Sequence, residues 1–213
     1  MSSLRNHKSI NQLKKFVCFF SFFILKNSMR NLTFFLVFLV IFVNQSSFSI
    51  DESDVFPELV YWSALKKGNY DKILYYLDNG LSPSTLDNQN MSPLAYGIKS
   101  NNEQIVKLLI EYDADVNGIF LNNLSPLIYA SYLNRFELIQ TLLENNADVN
   151  KQDNLGKTAL MVAIEKEHPK IVKQLIKSNI DVEMSDYAGN TIFDYIRFIR
   201  NQEIIFMINQ IKL

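Results

Sequence analysis

With one cysteine and two histidines in 213 residues, this chain has little to do chemistry with. Cys18 is alone, so no intrachain disulfide can form. His7 lies near the start, and past residue 50 His168 is the sole imidazole, with no thiol in the same part of the chain. A Cys/His metal site and a Ser-His-Asp triad therefore lack the residues they need. Six glycines are scattered along the chain, so no glycine-rich phosphate loop is present. Asp148, Asp153, Asp181 and Asp186 recur at an interval far longer than the ligand spacing of a calcium loop, and they read as turn and cap residues instead. The expectation is a non-enzymatic protein with no cofactor and no metal ion.

Acid is missing from the first fifty residues. They hold six Lys/Arg and no Asp or Glu, so with 21 bases and 22 acids in total the remainder carries a net charge of about −7. That balance repels phosphate and excludes nucleic acid as the expected partner. Lys66-Lys67 and Lys170/Lys173/Lys177 are short runs that read as solvated helix faces.

A long hydrophobic run is also lacking. The leader has two apolar runs, residues 16–25 and 32–43, and neither reaches the ~18 to 20 residues of a membrane-spanning helix. Arg30 precedes the second run, and Ser47 and Ser49 follow it. This is the order of a secretory signal peptide, with cleavage expected after Ser49 and a periplasmic or secreted product. Such a leader is of ordinary length if the functional start is Met29 rather than Met1. The competing expectation is an uncleaved leader that anchors the protein, with Lys14, Lys15, Lys26 and Arg30 at the membrane interface. The organisation expected is a leader over 1–49, an acidic linker over 50–55 and a folded body over 56–213.

The body is periodic. Ser92-Pro93-Leu94, Ser125-Pro126-Leu127, Thr158-Ala159-Leu160 and Thr191-Ile192-Phe193 are each 33 residues apart. Ala114-Asp115-Val116-Asn117 returns as Ala147-Asp148-Val149-Asn150 and then as Ile180-Asp181-Val182-Glu183 on the same lattice. Between these markers sit three apolar quartets, Ile105/Val106/Leu109/Ile110, Leu138/Ile139/Leu142/Leu143 and Ile171/Val172/Leu175/Ile176. Their i, i+1, i+4, i+5 spacing makes one stripe on a helix, which places Leu142 in the core. The hydroxyl residues 92, 125, 158 and 191 are suited to capping a first helix. Gly80, Asp113, Asn146 and Asn179, which end the second, are types that tolerate the left-handed conformation.

With that period and those segments the body resembles the ankyrin-repeat family, whose 33-residue unit opens with a T-P-L-H-x-A pattern. Ser92 and Ser125 stand in place of the Thr, and Ala95, Ile128, Met161 and Asp194 in place of the His. The resemblance implies an all-α solenoid, a β-turn plus two antiparallel helices per repeat. The approximate units are 56–87 (a degraded N-terminal cap), 88–120, 121–153, 154–186 and 187–213 (a C-terminal cap). His168 falls at an interhelix turn and reads as structural. An exported chain rich in Asn, Ile and Lys with this fold also resembles ankyrin proteins of intracellular bacteria that act on host proteins.

The resemblance further implies a protein partner, held by finger tips and by positions late in each first helix. Carried over, these are Asn88, Gln89, Met91, Lys99 and Ser100 in the second repeat and Leu121, Asn122, Leu124, Tyr132 and Leu133 in the third. In the fourth they are Asn154, Leu155, Lys157, Glu165 and Lys166. Lys99, Leu121, Asn122, Leu124, Tyr132, Leu133 and Glu165 are the expected binding residues, because solvated apolar side chains grouped together with polar flanks mark an interaction surface. Membrane contact is expected only through an uncleaved leader.

Overall fold

The structure is a computed structural model that describes residues 57–211. The expectations about leader cleavage, anchoring and the true start fall outside the described residues. Among those described, no helix is long and apolar enough to cross a membrane.

Five helix pairs follow one another: α1 (Pro57–Lys67) and α2 (Tyr70–Asp78), α3 (Pro93–Lys99) and α4 (Glu103–Glu111), α5 (Pro126–Tyr132) and α6 (Phe136–Glu144), α7 (Ala159–Glu165) and α8 (Pro169–Leu175), then α9 (Ile192–Tyr195) and α10 (Gln202–Ile211). No strand occurs among the described residues. Two isolated bridges, Phe120 with Leu124 and Ser185 with Thr191, close the bases of two fingers.

Local chemistry starts the first helices from α3 onward. The Ser92 hydroxyl accepts from the Ala95 amide at 3.1 Å, Ser125 from Ile128 at 3.3 Å and Thr158 from Met161 at 3.4 Å. Thr191 instead forms a capping box, its side chain facing the Asp194 amide while its own amide donates back to the Asp194 carboxylate at 3.0 Å. Second helices begin differently as the stack proceeds. Asn69 and Asn102 cap α2 and α4 with their own side chains. At the same lattice position Arg135 and His168 give up local capping and reach back one repeat. The Arg135 guanidinium donates to the Lys99 carbonyl at 2.9 Å, and His168 Nδ1 lies 2.9 Å from the Ser131 carbonyl. His168 is thus a structural tie.

Left-handed backbone recurs on the lattice too. Gly68, Asn101, Asn134 and Glu167 turn between the helices of a pair, and Asn90, Asn123, Gly156 and Gly189 turn the fingers. Gly80, Asp113 and Asn146 close second helices in this conformation as expected, but Asn179 does not. The reason is that α8 stops at Leu175 with Ile176 as its cap and leaves the helix through tight turns at Ser178 and Ile180.

The core runs along the stack. Ile105, Val106, Leu109, Leu138, Ile139, Leu142, Ile171, Val172 and Leu175 are buried, whereas the last member of each quartet, Ile110, Leu143 and Ile176, is only half-buried. Leu108 and Thr141, one residue before the third member, are buried instead, so the stripe is centred slightly differently from the expected one. A α-helical face packed on both a partner helix and a neighbouring repeat is wider than a two-row seam. Each pair contacts the next through first helices (α3 on α5, α5 on α7) and through second helices (α4 on α6, α6 on α8).

Polar side chains lock the joints. Asn117 donates to the Asn146 carbonyl at 3.0 Å and accepts from the Asp148 amide at 2.8 Å. Asn150 repeats the clamp one unit on, to Asn179 at 3.2 Å and Asp181 at 2.9 Å. At the first joint Ser84 stands on this position and accepts from the Asp115 amide at 3.1 Å.

Candidate protein-binding face

Lattice position fixes which residues share a surface row. Lys99, Tyr132 and Glu165 end α3, α5 and α7, and Phe198, at the same 33-residue interval, lies three residues past α9; Asn88, Leu121, Asn154 and Tyr187 form a row at the finger tips. What each finger presents depends on the residue at its base, where the chain has Asp87, Phe120, Asp153 and Asp186.

In three repeats that base is a carboxylate. Asp87 Oδ1 accepts from the Gln89 and Met91 amides at 2.8 and 3.0 Å, Asp153 from Leu155 and Lys157 at 2.8 and 2.9 Å, and Asp186 from Ala188 and Asn190 at 2.9 and 2.8 Å. Tyr96 and Tyr195 add their hydroxyls to the other oxygen of Asp87 and Asp186, at 2.6 and 2.8 Å. Burial pushes the Asp87 and Asp186 carboxyls up, but the donated hydrogen bonds outweigh it and hold both below the usual carboxylate range. The two tyrosines are pushed up, first by burial and then by the carboxylate each one faces. These acids, like Asp148 and Asp181, which accept from the amides two residues on, are spent on turns.

The third finger is built on apolar contact. Phe120 is buried and meets the Tyr129 ring edge-on, with centroids 5.3 Å apart. With no carboxylate to gather amides, residues Leu121–Asn123 form a short 3-10 turn with Asn122 and Asn123 left-handed, and this puts Leu121 outside, 41% exposed. Asn122 is exposed as well. The Leu121 amide donates to the Asn90 carbonyl at 3.0 Å, which steadies the loop on the finger before it.

The expected binding residues fall into two groups. Lys99, Leu121, Asn122, Tyr132 and Glu165 are exposed, with Tyr132 at 51%. Leu124 and Leu133 are half-buried and packed on the core, so they support the face from beneath. Met91, placed at a finger tip from the sequence, is buried: its amide is gathered in by Asp87, and the side chain turns under the finger. Two neighbours dress Tyr132 and Glu165. Lys166 Nζ lies 4.8 Å from the Tyr132 ring centroid, and Lys157 pairs with Glu165 at 2.7 Å while lying 5.6 Å from the Tyr195 ring. Two exposed aromatic residues of the final repeat fall at the same 33-residue intervals without having been singled out from sequence. Phe198 is 82% exposed on the Tyr132 row and Tyr187 73% exposed on the Leu121 row. Counting 33 on from Glu165 and Asn154 was the available signal.

The family model described as Ankyrin repeats (3 copies) matches residues 61–153 and 121–186, together well over half of the chain. The chain belongs to the ankyrin-repeat family. Ankyrin repeats are non-enzymatic protein-interaction modules, and the helical stack described above is their solenoid. The chain is also similar to the Ankyrin repeat-containing protein P1E11.10 of Schizosaccharomyces pombe, 30% identical over 56 residues. That match covers 26% of this chain and 27% of the yeast protein, so the chain spans about a quarter of the length of the curated relative it matches.

Proposed function

We propose that this ankyrin protein is exported by its leader and binds a protein partner through the face made by Lys99, Leu121, Asn122, Tyr132 and Glu165, with Leu124 and Leu133 beneath it and Tyr187 and Phe198 extending it. The observation that carries the reading is the exposure of Tyr132 and Phe198 on one row. Large rings left in water at or just past the ends of first helices are anchors in want of a pocket, and aromatic anchors dominate interface energetics. A host protein is the kind of partner an exported ankyrin of an intracellular bacterium meets.

Affinity capture with residues 50–213 supplies the partner, and binding isotherms test the face. The double variant Tyr132→Ala/Phe198→Ala is expected to lose about 2 kcal/mol or more of binding, roughly thirtyfold in affinity. Lys173→Ala/Lys177→Ala, on and after α8, is expected to bind as the parent does. Unchanged affinity in a folded double variant overturns the reading. For export, the mature chain is expected to begin at Ile50. The two apolar runs and basic flanks of the leader favour retention at a membrane as the second reading, and N-terminal sequencing that finds residues 32–43 still attached decides for it.

A further inference from the structure

The clamp of Asn117 is made twice, but only one copy is followed by glycine: Asn117-Gly118, against Asn150-Lys151. The glycine is not demanded by the backbone. Gly118 has no positive φ, and although a Cβ there would lie 3.1 Å from the Asp115 carbonyl, the same lattice position carries Thr85, Lys151 and Met184. An Asn-Gly pair has a chemistry that Asn-Lys largely lacks, because without a Cβ the glycine nitrogen can swing onto the preceding carboxamide. We propose that Asn117-Gly118 is a self-modification site, an asparagine that deamidates when the joint between the second and third repeats opens and thereby keeps that joint from reclosing.

The step balances without an oxidant or an enzyme. The Gly118 nitrogen gives its proton to water and attacks Asn117 Cγ; the N–Cγ bond forms, the Cγ–Nδ2 bond breaks, and Nδ2 takes a proton from water and leaves as ammonia. Water then opens the five-membered imide, leaving aspartate if it cleaves the new N–Cγ bond and isoaspartate if it cleaves the bond to the backbone carbonyl.

The folded joint holds every group the reaction needs. Gly118 N–H donates to the Asp115 carbonyl at 3.1 Å. Asn117 Nδ2 and Oδ1 are both engaged across the joint, its own amide donates to Asp115 Oδ1 at 2.8 Å, and its carbonyl accepts from Lys151 Nζ at 2.5 Å. Reaction therefore requires local opening, and its rate reports the open fraction. After reaction the Nδ2 donor is gone. An oxygen then faces the Asn146 carbonyl, acceptor against acceptor, in a neighbourhood that already holds Asp115 and Asp148, and the isoaspartate product also lengthens the backbone by one carbon. The joint is weakened for good.

Asn79-Gly80 is the chain's other Asn-Gly pair and gives the comparison. It sits at the exposed end of α2, with Asn79 Nδ2 on the Tyr75 carbonyl at 2.7 Å, a contact within its own helix end rather than across a joint. The experiment is peptide mapping by mass spectrometry of the full chain incubated at mildly alkaline pH, native and in urea, scoring deamidation at Asn79, Asn117 and Asn150. In urea Asn79 and Asn117 are expected to react alike and Asn150 about tenfold slower or more, from the steric difference alone. In the native protein Asn117 is expected to slow by at least about tenfold relative to urea, and by more than Asn79 does. The variant Asn117→Asp is expected to raise hydrogen exchange at the Asp148 amide while the helices stay folded by circular dichroism. Native Asn117 reacting at its urea rate, Asn150 reacting as fast as Asn117, or unchanged Asp148 exchange in Asn117→Asp would each overturn the proposal.

Discussion

Leu142 offers the sharpest test of the stack. It is fully buried on α6, which packs against α5 of its own repeat and against α4 and α8 on either side. Leu142→Ala removes three carbon groups worth about 0.8 kcal/mol each in transfer from water. A rigid site that cannot collapse from either neighbour adds about 24 cal/mol per Å³ over a void of roughly 60 Å³. Together these give about 4 kcal/mol, a large share of the total stability of a domain this size. Glu144, two residues on, is exposed and accepts from Gln140 Nε2 at 2.7 Å, so Glu144→Ala should cost within about 0.5 kcal/mol. Half-buried Leu143 should fall between the two on replacement by Ala. Urea titrations followed by helical circular dichroism measure all three, and the Leu142 midpoint should drop well below the other two. Equal midpoints for Leu142→Ala and Glu144→Ala would refute the helix phase and with it the assignment of the buried stripe.

Two further outcomes follow from the fingers. Asp87 and Asp186 have carboxyls held below their ordinary value in the folded chain, so their contribution is present above the unfolded carboxylate pKa near about 4 and is lost as pH falls through the lower folded value. Acid titration of melting temperature should therefore fall less below about pH 4 in Asp87→Asn/Asp186→Asn than in the parent, and parallel curves would refute the role given to these acids. At Gly156 a Cβ would meet the Tyr187 amide nitrogen and ring at 2.6 Å on a left-handed backbone, whereas at Gly80 it would meet nothing within 4 Å. Gly80→Ala should then cost about 1 kcal/mol from conformation alone, and Gly156→Ala should cost distinctly more in the same thermal melt.

How much could be read from residues alone follows from the range of the interactions. The caps at Ser92, Ser125 and Thr158 were legible because a hydroxyl and an amide three residues apart suffice to make them. The 33-residue lattice was legible because every repeat obeys the same packing. Met91 was not, because its burial depends on Asp87 pulling the finger inward, a contact that no local pattern announces. Asn179 failed for a similar reason: its residue type permits a left-handed turn, but the length of α8 decides whether one is needed. Phe198 was missed because it lies past α9, which stops at Tyr195 and is shorter than the first helices before it, a length its own residue type does not announce.

The reach of the inter-repeat contacts has a consequence for how the molecule assembles. His168 touches Ser131, Arg135 touches Lys99, and each Asn clamp meets residues about one repeat away; among the described helices the principal contacts run within a pair or to the neighbouring pair. Every closure thus fixes a loop of nearly the same length, and the entropic cost of joining any repeat to the next is nearly uniform along the chain. Topology imposes no order of events. Assembly can begin at whichever joint is strongest and spread in both directions, so the pairs bound by Asn117 and Asn150 are the natural seed, and the first pair, joined through Ser84, is the natural place to finish.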